Sequence, residues 1–417
     1  MTDPDTAPPG IAAAAAEFGP FEGRVWCNTA HQGPLPRSAV EAARHAAALK
    51  AVPHRIADED FRQVPEELRA LLAELVGGSP EQIALGDSTS HGMHLIANGL
   101  RWQDGDEVLV LAGDYPATVL PWRRLAPYGV RTTALRPAGG LLTAAELEAA
   151  ITPRTRVAAV TWVDSFTGRA LDLDALGAVC RRSGVLLVVN ASQALGARPL
   201  DVSRTPVDAV VSCGYKWLCG PYGTGFSWLR PDLLERLTPQ HAYWLAMRYG
   251  RGGLDRMRDT VLRDDLGVRA FDVFCPADFL NVLPWTASLR LLLAAGVDEV
   301  AAWDQALVGR FVAGLDRDRY RLVSPAGGAG RSTLVVLRDR ADDREAADNA
   351  DGVEGTTRTG SATRTEATAA TEARHRQLTA AGVDTAFREG ALRVSLHLFH
   401  TAADVDRVLA ALHAPAP

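Results

Sequence analysis

The chain is 417 residues long, 47% hydrophobic and 23% charged, enough to bury a large core and to form one large and one smaller domain. Its net charge of −6, with both signs interspersed, argues against nucleic acid and against an anionic membrane surface, leaving a small molecule as the expected partner. The first residues lack a basic leader, no apolar run reaches the ~18 residues of a membrane span, and the five cysteines Cys27, Cys180, Cys213, Cys219 and Cys275 form no Cys-x-x-Cys pair. A cytoplasmic location, reduced thiols and no metal site are the resulting expectations.

In chain order, short runs rich in Val, Leu and Ala predict buried strands at 108–112, 156–163, 185–189 and 209–212. Helical patterns at 116–127, 144–151 and 171–183 alternate with them. Such alternation predicts an α/β fold with a mostly parallel central sheet and helices on both faces. After about residue 275, two long helices at 278–295 and 297–315 precede strands at 321–324, 333–337 and 391–396 and a last helix at 402–412, the pattern of a smaller α+β domain. Between 341 and 371 the only sizeable aliphatic residue is Val353, so this insertion is expected to be disordered.

Only two lysines occur among the 44 basic residues, and Lys216 follows the strand at 209–212 in Gly214-Tyr215-Lys216-Trp217-Leu218-Cys219-Gly220-Pro221-Tyr222-Gly223-Thr224-Gly225. An arginine cannot stand in for an amine that must lose its proton and attack a carbonyl, so the position points to Schiff-base chemistry with pyridoxal phosphate. Alone, Lys216 reads as a lysine snorkelling from a strand end, the usual fate of a lysine. Three segments supply what the same cofactor needs. Asp87-Ser88-Thr89-Ser90-His91-Gly92 opens a helical run, where free N–H groups, the helix dipole and hydroxyls suit a phosphate, although Ser88 or Thr89 could simply cap the helix. Tyr115, in Asp114-Tyr115-Pro116, ends a strand where its ring could stack on a flat cofactor or merely pack. Asn190 and Gln193 follow the strand at 185–189, where a polar side chain could meet the cofactor or cap a turn. Asp164, at another strand end, is a candidate for a nearby charge.

With these motifs in place, the chain resembles the class V aminotransferase family of fold-type I pyridoxal phosphate enzymes, which includes isopenicillin N epimerase-like proteins, cysteine desulfurases and kynureninases. The likeness runs from Asn28-Thr29-Ala30-His31-Gln32-Gly33-Pro34-Leu35-Pro36 to Leu392-Arg393-Val394-Ser395-Leu396-His397. It implies an internal aldimine on Lys216. Thr89, Ser90, Gln193 and Tyr215 would hold the phosphate or phenolic oxygen, Tyr115 would stack on the ring, and Ser165 would approach the phenolic oxygen. Arg393 would clamp the substrate α-carboxylate, while Asn28 and His31, in a segment that the family brings to the active site, are candidates for substrate contacts. The resemblance also implies a homodimer with active sites between protomers. The domain division expected from it is an N-terminal arm at 1–40, a cofactor-binding domain at 41–277 and a small domain at 278–417.

Three departures refine the expected chemistry. Asn190 stands where the family normally has an aspartate, and a neutral amide does less to keep a pyridine nitrogen protonated. No cysteine follows Cys275, from which the chain is expected not to be a persulfide-forming cysteine desulfurase. Phe274 and Cys275 stand where the family usually has a small residue and often a Thr that reaches the neighbouring protomer's phosphate; they could shape the substrate pocket, but core packing is the expectation for both. The reaction expected first is epimerisation or C–X lysis at the α carbon of an amino acid, then transamination, with a cofactor-binding protein lacking turnover as the reading from another class.

Overall fold

The computed structural model describes residues 6–242, 244–248, 258, 260–343 and 368–415. The strand Val25–Trp26 is β1, followed by Ile83–Gly86 (β2), Glu107–Leu111 (β3), Arg131–Leu135 (β4), Thr155–Thr161 (β5), Leu186–Asn190 (β6), Ala209–Cys213 (β7) and Gly225–Leu229 (β8). Strands β2 to β8 form a seven-stranded sheet in the order β2-β8-β7-β6-β5-β3-β4, parallel except for β8, which runs antiparallel to both of its neighbours. Every residue of β6, β7 and β8 is buried, as expected of strands covered on both faces. The expected α/β fold is therefore present.

Two sheet strands escape a reading by hydrophobic runs, for different reasons. The edge strand β4 carries Arg131, Thr132 and Thr133 and is largely open to solvent, so its pattern is polar. β8 starts in the glycine-rich turn that otherwise looks like the end of the Lys216 loop. The helices Pro9–Ala15, Arg37–Ala51 and Asp60–Val76 were likewise not anticipated. Arg37–Ala51 and Asp60–Val76 pack on Phe279–Ala295, a helix apolar on almost every side because neighbours cover it.

The second half adds Tyr320–Leu322 (β9), Leu334–Asp339 (β10), Val383–Asp384 (β11), Ala386–Arg388 (β12) and Ala391–Ser395 (β13). An antiparallel sheet runs β12-β13-β10-β9, and β1 pairs in parallel with β11, which ties the N-terminal arm to the far end of the chain. Most of the insertion expected at 341–371 lies outside the described residues, but its two edges are ordered. Asp342 accepts from the backbone N–H groups of Ala370 (2.8 Å) and Thr371 (3.0 Å), so it caps the helix Ala369–Ala380 across the insertion. The expected boundaries are corrected inward accordingly.

No single helix among the described residues is long and apolar enough to cross a membrane. Phe279–Ala295 and Val297–Gly314 reach that length and composition only together, and they bend by 78° at Gly296.

Candidate active site

The parallel strands end on one side of the sheet, and that side holds a cavity of about 330 Å³. Lining it are Lys216 and Tyr215 after β7, Asn190, Ser192 and Gln193 at the end of β6, Tyr115 after β3, Ser165 after β5, and Ser88, Thr89 and Ser90 after β2. Eight side chains proposed from sequence as cofactor contacts thus share one space: Lys216, Tyr215, Asn190, Gln193, Tyr115, Ser165, Thr89 and Ser90.

Lys216 is only 7% exposed. Burial is the main influence on its amine and lowers its pKa, the nearby Arg393 charge lowers it further, and Cys213 pulls the other way. Its Nζ lies 5.3 Å from the centre of the Tyr115 ring. Tyr115 itself stacks against Phe166 with centroids 6.5 Å apart. Burial, with Cys213, Tyr222 and Tyr115 nearby, pushes the Tyr215 phenol up, so it remains protonated and able to donate.

At the other wall, the helix Thr89–Gly99 points its N-terminus into the cavity. Ser88 accepts from the His91 N–H at 3.1 Å, and Thr89 shares a 2.6 Å hydrogen bond with Ser192. Ser88 is therefore the helix cap, leaving the hydroxyl of Ser90 and the first backbone N–H groups as the anion-binding face. Gly225 makes this approach possible, since a Cβ there would sit 2.7 Å from the Ser88 nitrogen.

Some expected roles change. Asp164 is absent from the cavity wall: its Oδ1 accepts from the N–H groups of Phe166 (2.9 Å) and Thr167 (2.6 Å) and from the Thr167 hydroxyl (2.7 Å). Its reading as a cofactor contact gives way to a turn cap that aims Ser165. Gln193 reaches the cavity, but its amide joins Trp217 Nε1 (2.9 Å) to the Ala30 carbonyl (3.0 Å), linking the Lys216 loop to the N-terminal arm. Phe274 is 56% exposed and Cys275 is exposed, so neither packs in the core in this chain; Phe271 and Asp272 do so instead. Trp122 and Trp217 are fully buried, as core residues.

Arg393, on β13, reaches the same region from the small sheet. One Nη donates to the Ser165 carbonyl at 3.2 Å, while the buried Nε has no partner. Burial and then the neighbouring Arg388 lower its pKa to about 10, which leaves it cationic at neutral pH. Asn28 bridges Ser395 on the same strand, and its buried Oδ1 is also unpartnered. His31 is exposed, yet partial burial of its ring, followed by the charges of Arg388, Arg393 and Lys216, lowers its pKa and favours the neutral imidazole. None of these three lines the cavity itself; Arg393 adjoins it through the Ser165 carbonyl.

Sequence reading missed what holds the Lys216 loop from beneath. His397 Nδ1 meets Asp304 at 2.9 Å and Nε2 meets the Trp217 carbonyl at 2.9 Å, with both side chains fully buried. Burial pulls the His397 pKa down, yet Asp304 and Cys219 outweigh it and raise it to about 10.

A profile of the family described as Aminotransferase class-V matches residues 33–243, about half of the chain. The chain belongs to the class-V aminotransferase family. It is 36% identical over 226 residues to the isopenicillin N epimerase of Streptomyces clavuligerus, covering 52% of this chain and 56% of that protein. A probable cysteine desulfurase of Aeropyrum pernix is 34% identical over 236 residues, covering 54% and 57%. The chain thus spans little more than half the length of these relatives. In fold, it superposes with a TM-score of 0.78 and 24% identity on the cystine C-S lyase C-DES in complex with its reaction product cysteine persulfide, over 95% of this chain and 98% of that one.

These findings correct the expectation that excluded persulfide-forming cysteine desulfurases. Relatives bearing that name share the family, and the solved structure of C-DES holds cysteine persulfide as its reaction product. A missing cysteine after Cys275 therefore does not exclude that activity for a chain so similar to them.

The cofactor is pyridoxal 5′-phosphate. The residues present fit it: a buried, easily deprotonated amine, a phenol-lined wall and a helix N-terminus with hydroxyls surround a cavity suited to a flat, phosphorylated ring.

Proposed function

We propose that the protein acts at the α carbon of an amino acid, by epimerisation or by cleavage of a C–X bond, with transamination as the second reading. What carries this is Lys216, whose burial lowers its pKa in a cavity it shares with an anion-binding helix end and within the field of Arg393. The likeness to isopenicillin N epimerase supports placing epimerisation first.

In this reading Lys216, Thr89, Ser90, Tyr115, Ser165, Asn190, Gln193 and Tyr215 hold the cofactor, and Arg393, Asn28 and His31 meet the substrate. When bound, pyridoxal phosphate supplies an electron sink for charge developing at the substrate α carbon. Lys216, whose burial makes its amine give up a proton more readily than a solvated one, takes the proton from that carbon. Arg393 orients the α-carboxylate through its free Nε and a terminal nitrogen, a fork that a lysine could not offer. Asn28 Oδ1 accepts from a donor on the substrate, and the neutral His31 is placed to give or take a proton near the side chain.

We infer a homodimer, supported by the exposed apolar side chains of Leu262, Phe274 and Leu280. The division into 1–40, 41–277 and 278–417 belongs to the same proposal, as does a cytoplasmic setting, which the free thiols suit. Incubation with amino acids in deuterated water tests the chemistry. Deuterium at the α carbon without keto acid supports epimerisation, release of the side-chain group supports lysis, and pyridoxamine phosphate supports transamination. Cofactor binding without any product from a broad amino-acid panel would leave a binding protein and overturn the proposal.

A further inference from the structure

Asn190 is the least expected residue of the cavity, and the structure connects it to a buried carboxylate. Its Nδ2 donates to Thr118 Oγ1 at 2.9 Å. Thr118 and Thr161 share a hydroxyl–hydroxyl bond of 2.8 Å, and the Thr161 hydroxyl bonds to Asp114. Asp114 also accepts from the N–H groups of Tyr115 (2.6 Å) and Thr161 (3.0 Å). On its other side, Asn190 Oδ1 accepts from the Ser192 N–H at 3.1 Å. Thr118, Thr161 and Asn190 are all buried.

The direction of this chain follows from the donor inventory. An ionised carboxylate only accepts, so Thr161 must donate to Asp114 and therefore accept from Thr118. Thr118 has then spent its proton and can only accept from Asn190. Turning the amide over would place its NH₂ against the Ser192 N–H and its oxygen against a hydroxyl with no proton left. Burial pushes the Asp114 carboxyl up to about 6, with the nearby Asp164 adding to the rise, but it remains mostly ionised at neutral pH.

We propose that Asp114 is a positioning residue that acts through Thr161 and Thr118 to fix the carboxamide of Asn190 in a single orientation toward the cofactor. With its Nδ2 donating toward a remote negative charge, the neutral Asn190 has a more strongly accepting Oδ1, the atom that would favour a protonated ring nitrogen. The family's aspartate places a charge at this position directly. Here a hydroxyl relay delivers part of the same effect from a carboxylate two threonines away. The inference rests on the cofactor reading given above.

The test uses the cofactor dissociation constant of the apo-protein and the absorbance spectrum of the substrate-free holoprotein, neither of which depends on turnover. Asp114→Asn, Thr161→Val and Thr118→Val are each expected to weaken cofactor binding roughly 10-fold, as loss of one charge-linked hydrogen bond would, and to move the absorbance band. Thr161→Ser and Thr118→Ser should restore both. In an Asn190→Ala background, Asp114→Asn should add nothing further. Folded valine variants with wild-type affinity and spectrum would overturn the relay, as would additive effects of Asp114→Asn and Asn190→Ala. Because the threonine variants stand independently, a misfolded Asp114→Asn protein does not decide the outcome. A wild-type protein that takes up no cofactor would sink the cofactor reading and the relay together, whereas normal uptake with unaffected variants sinks the relay alone.

Discussion

Two of the regions that bury basic side chains do so in opposite ways. Arg69 on the helix Asp60–Val76 donates to both oxygens of Asp272, at 3.1 and 2.7 Å, and also reaches the Ile83 carbonyl. Asp272 in turn accepts from the Leu85 N–H at 2.8 Å, so the pair pins β2 to the segment beyond β8. Lys216 and Arg393 are almost equally buried, yet no carboxylate among the described residues pairs with either. A buried positive charge with its partner in place is architecture. One left uncompensated is a site awaiting an anion or a carbonyl.

The sharpest way to break this comparison is to remove the amine. Lys216→Ala should lose the borohydride-fixed cofactor on its peptide and at least about 10³-fold in turnover, with folding intact by circular dichroism. A label retained elsewhere would contradict the assignment. Next in size, Arg69→Met leaves Asp272 as an unpaired buried charge and should cost about 3–5 kcal/mol, read as a marked drop in melting temperature. Arg393→Met should instead leave the melting temperature nearly unchanged and raise KM about 10- to 100-fold, the worth of about 1.5–3 kcal/mol for hydrogen bonds to a charged group. Equal destabilisation by both arginine variants would erase the distinction.

Gly225→Ala probes the geometry between the two regions, because its Cβ would press on the Ser88 backbone. A loss of about 1–3 kcal/mol in stability is expected from such overpacking, together with weaker phosphate binding measured with the apo-protein. The smallest effect concerns pH. Lys216 has a lowered pKa in the folded state, so between that value and the ordinary one the unfolded chain binds more protons and stability rises with pH. The melting temperature of the apo-protein should therefore climb from neutral toward alkaline pH, and the part due to this amine should vanish in Lys216→Met.

The same contrast explains what could be read in advance. Strands β3, β5, β6 and β7 were legible because burial on both faces leaves an unbroken apolar run, while the exposed, threonine-rich β4 lacked that signature. The strand-end residues Tyr115, Asn190 and Lys216 were legible because a parallel sheet gathers strand ends at one edge. Asp114, Thr118 and Thr161 were not, since each alone is an ordinary polar residue and only the packing of β3, β5 and β6 aligns them into one chain. Asp164 shows the converse: a strand-end carboxylate in the right place by sequence whose oxygen is taken by its own turn.

By itself, the sequence determined the α/β sheet, the position of the lysine at the strand end and the chemistry that a lysine permits where an arginine does not. Tertiary structure alone decided which charges are paired, which amide atom faces which donor, and which buried groups remain free. Hydrophobic period and residue type are local properties carried along the chain, whereas hydrogen-bond direction and desolvation depend on atoms hundreds of residues apart meeting in one dry space.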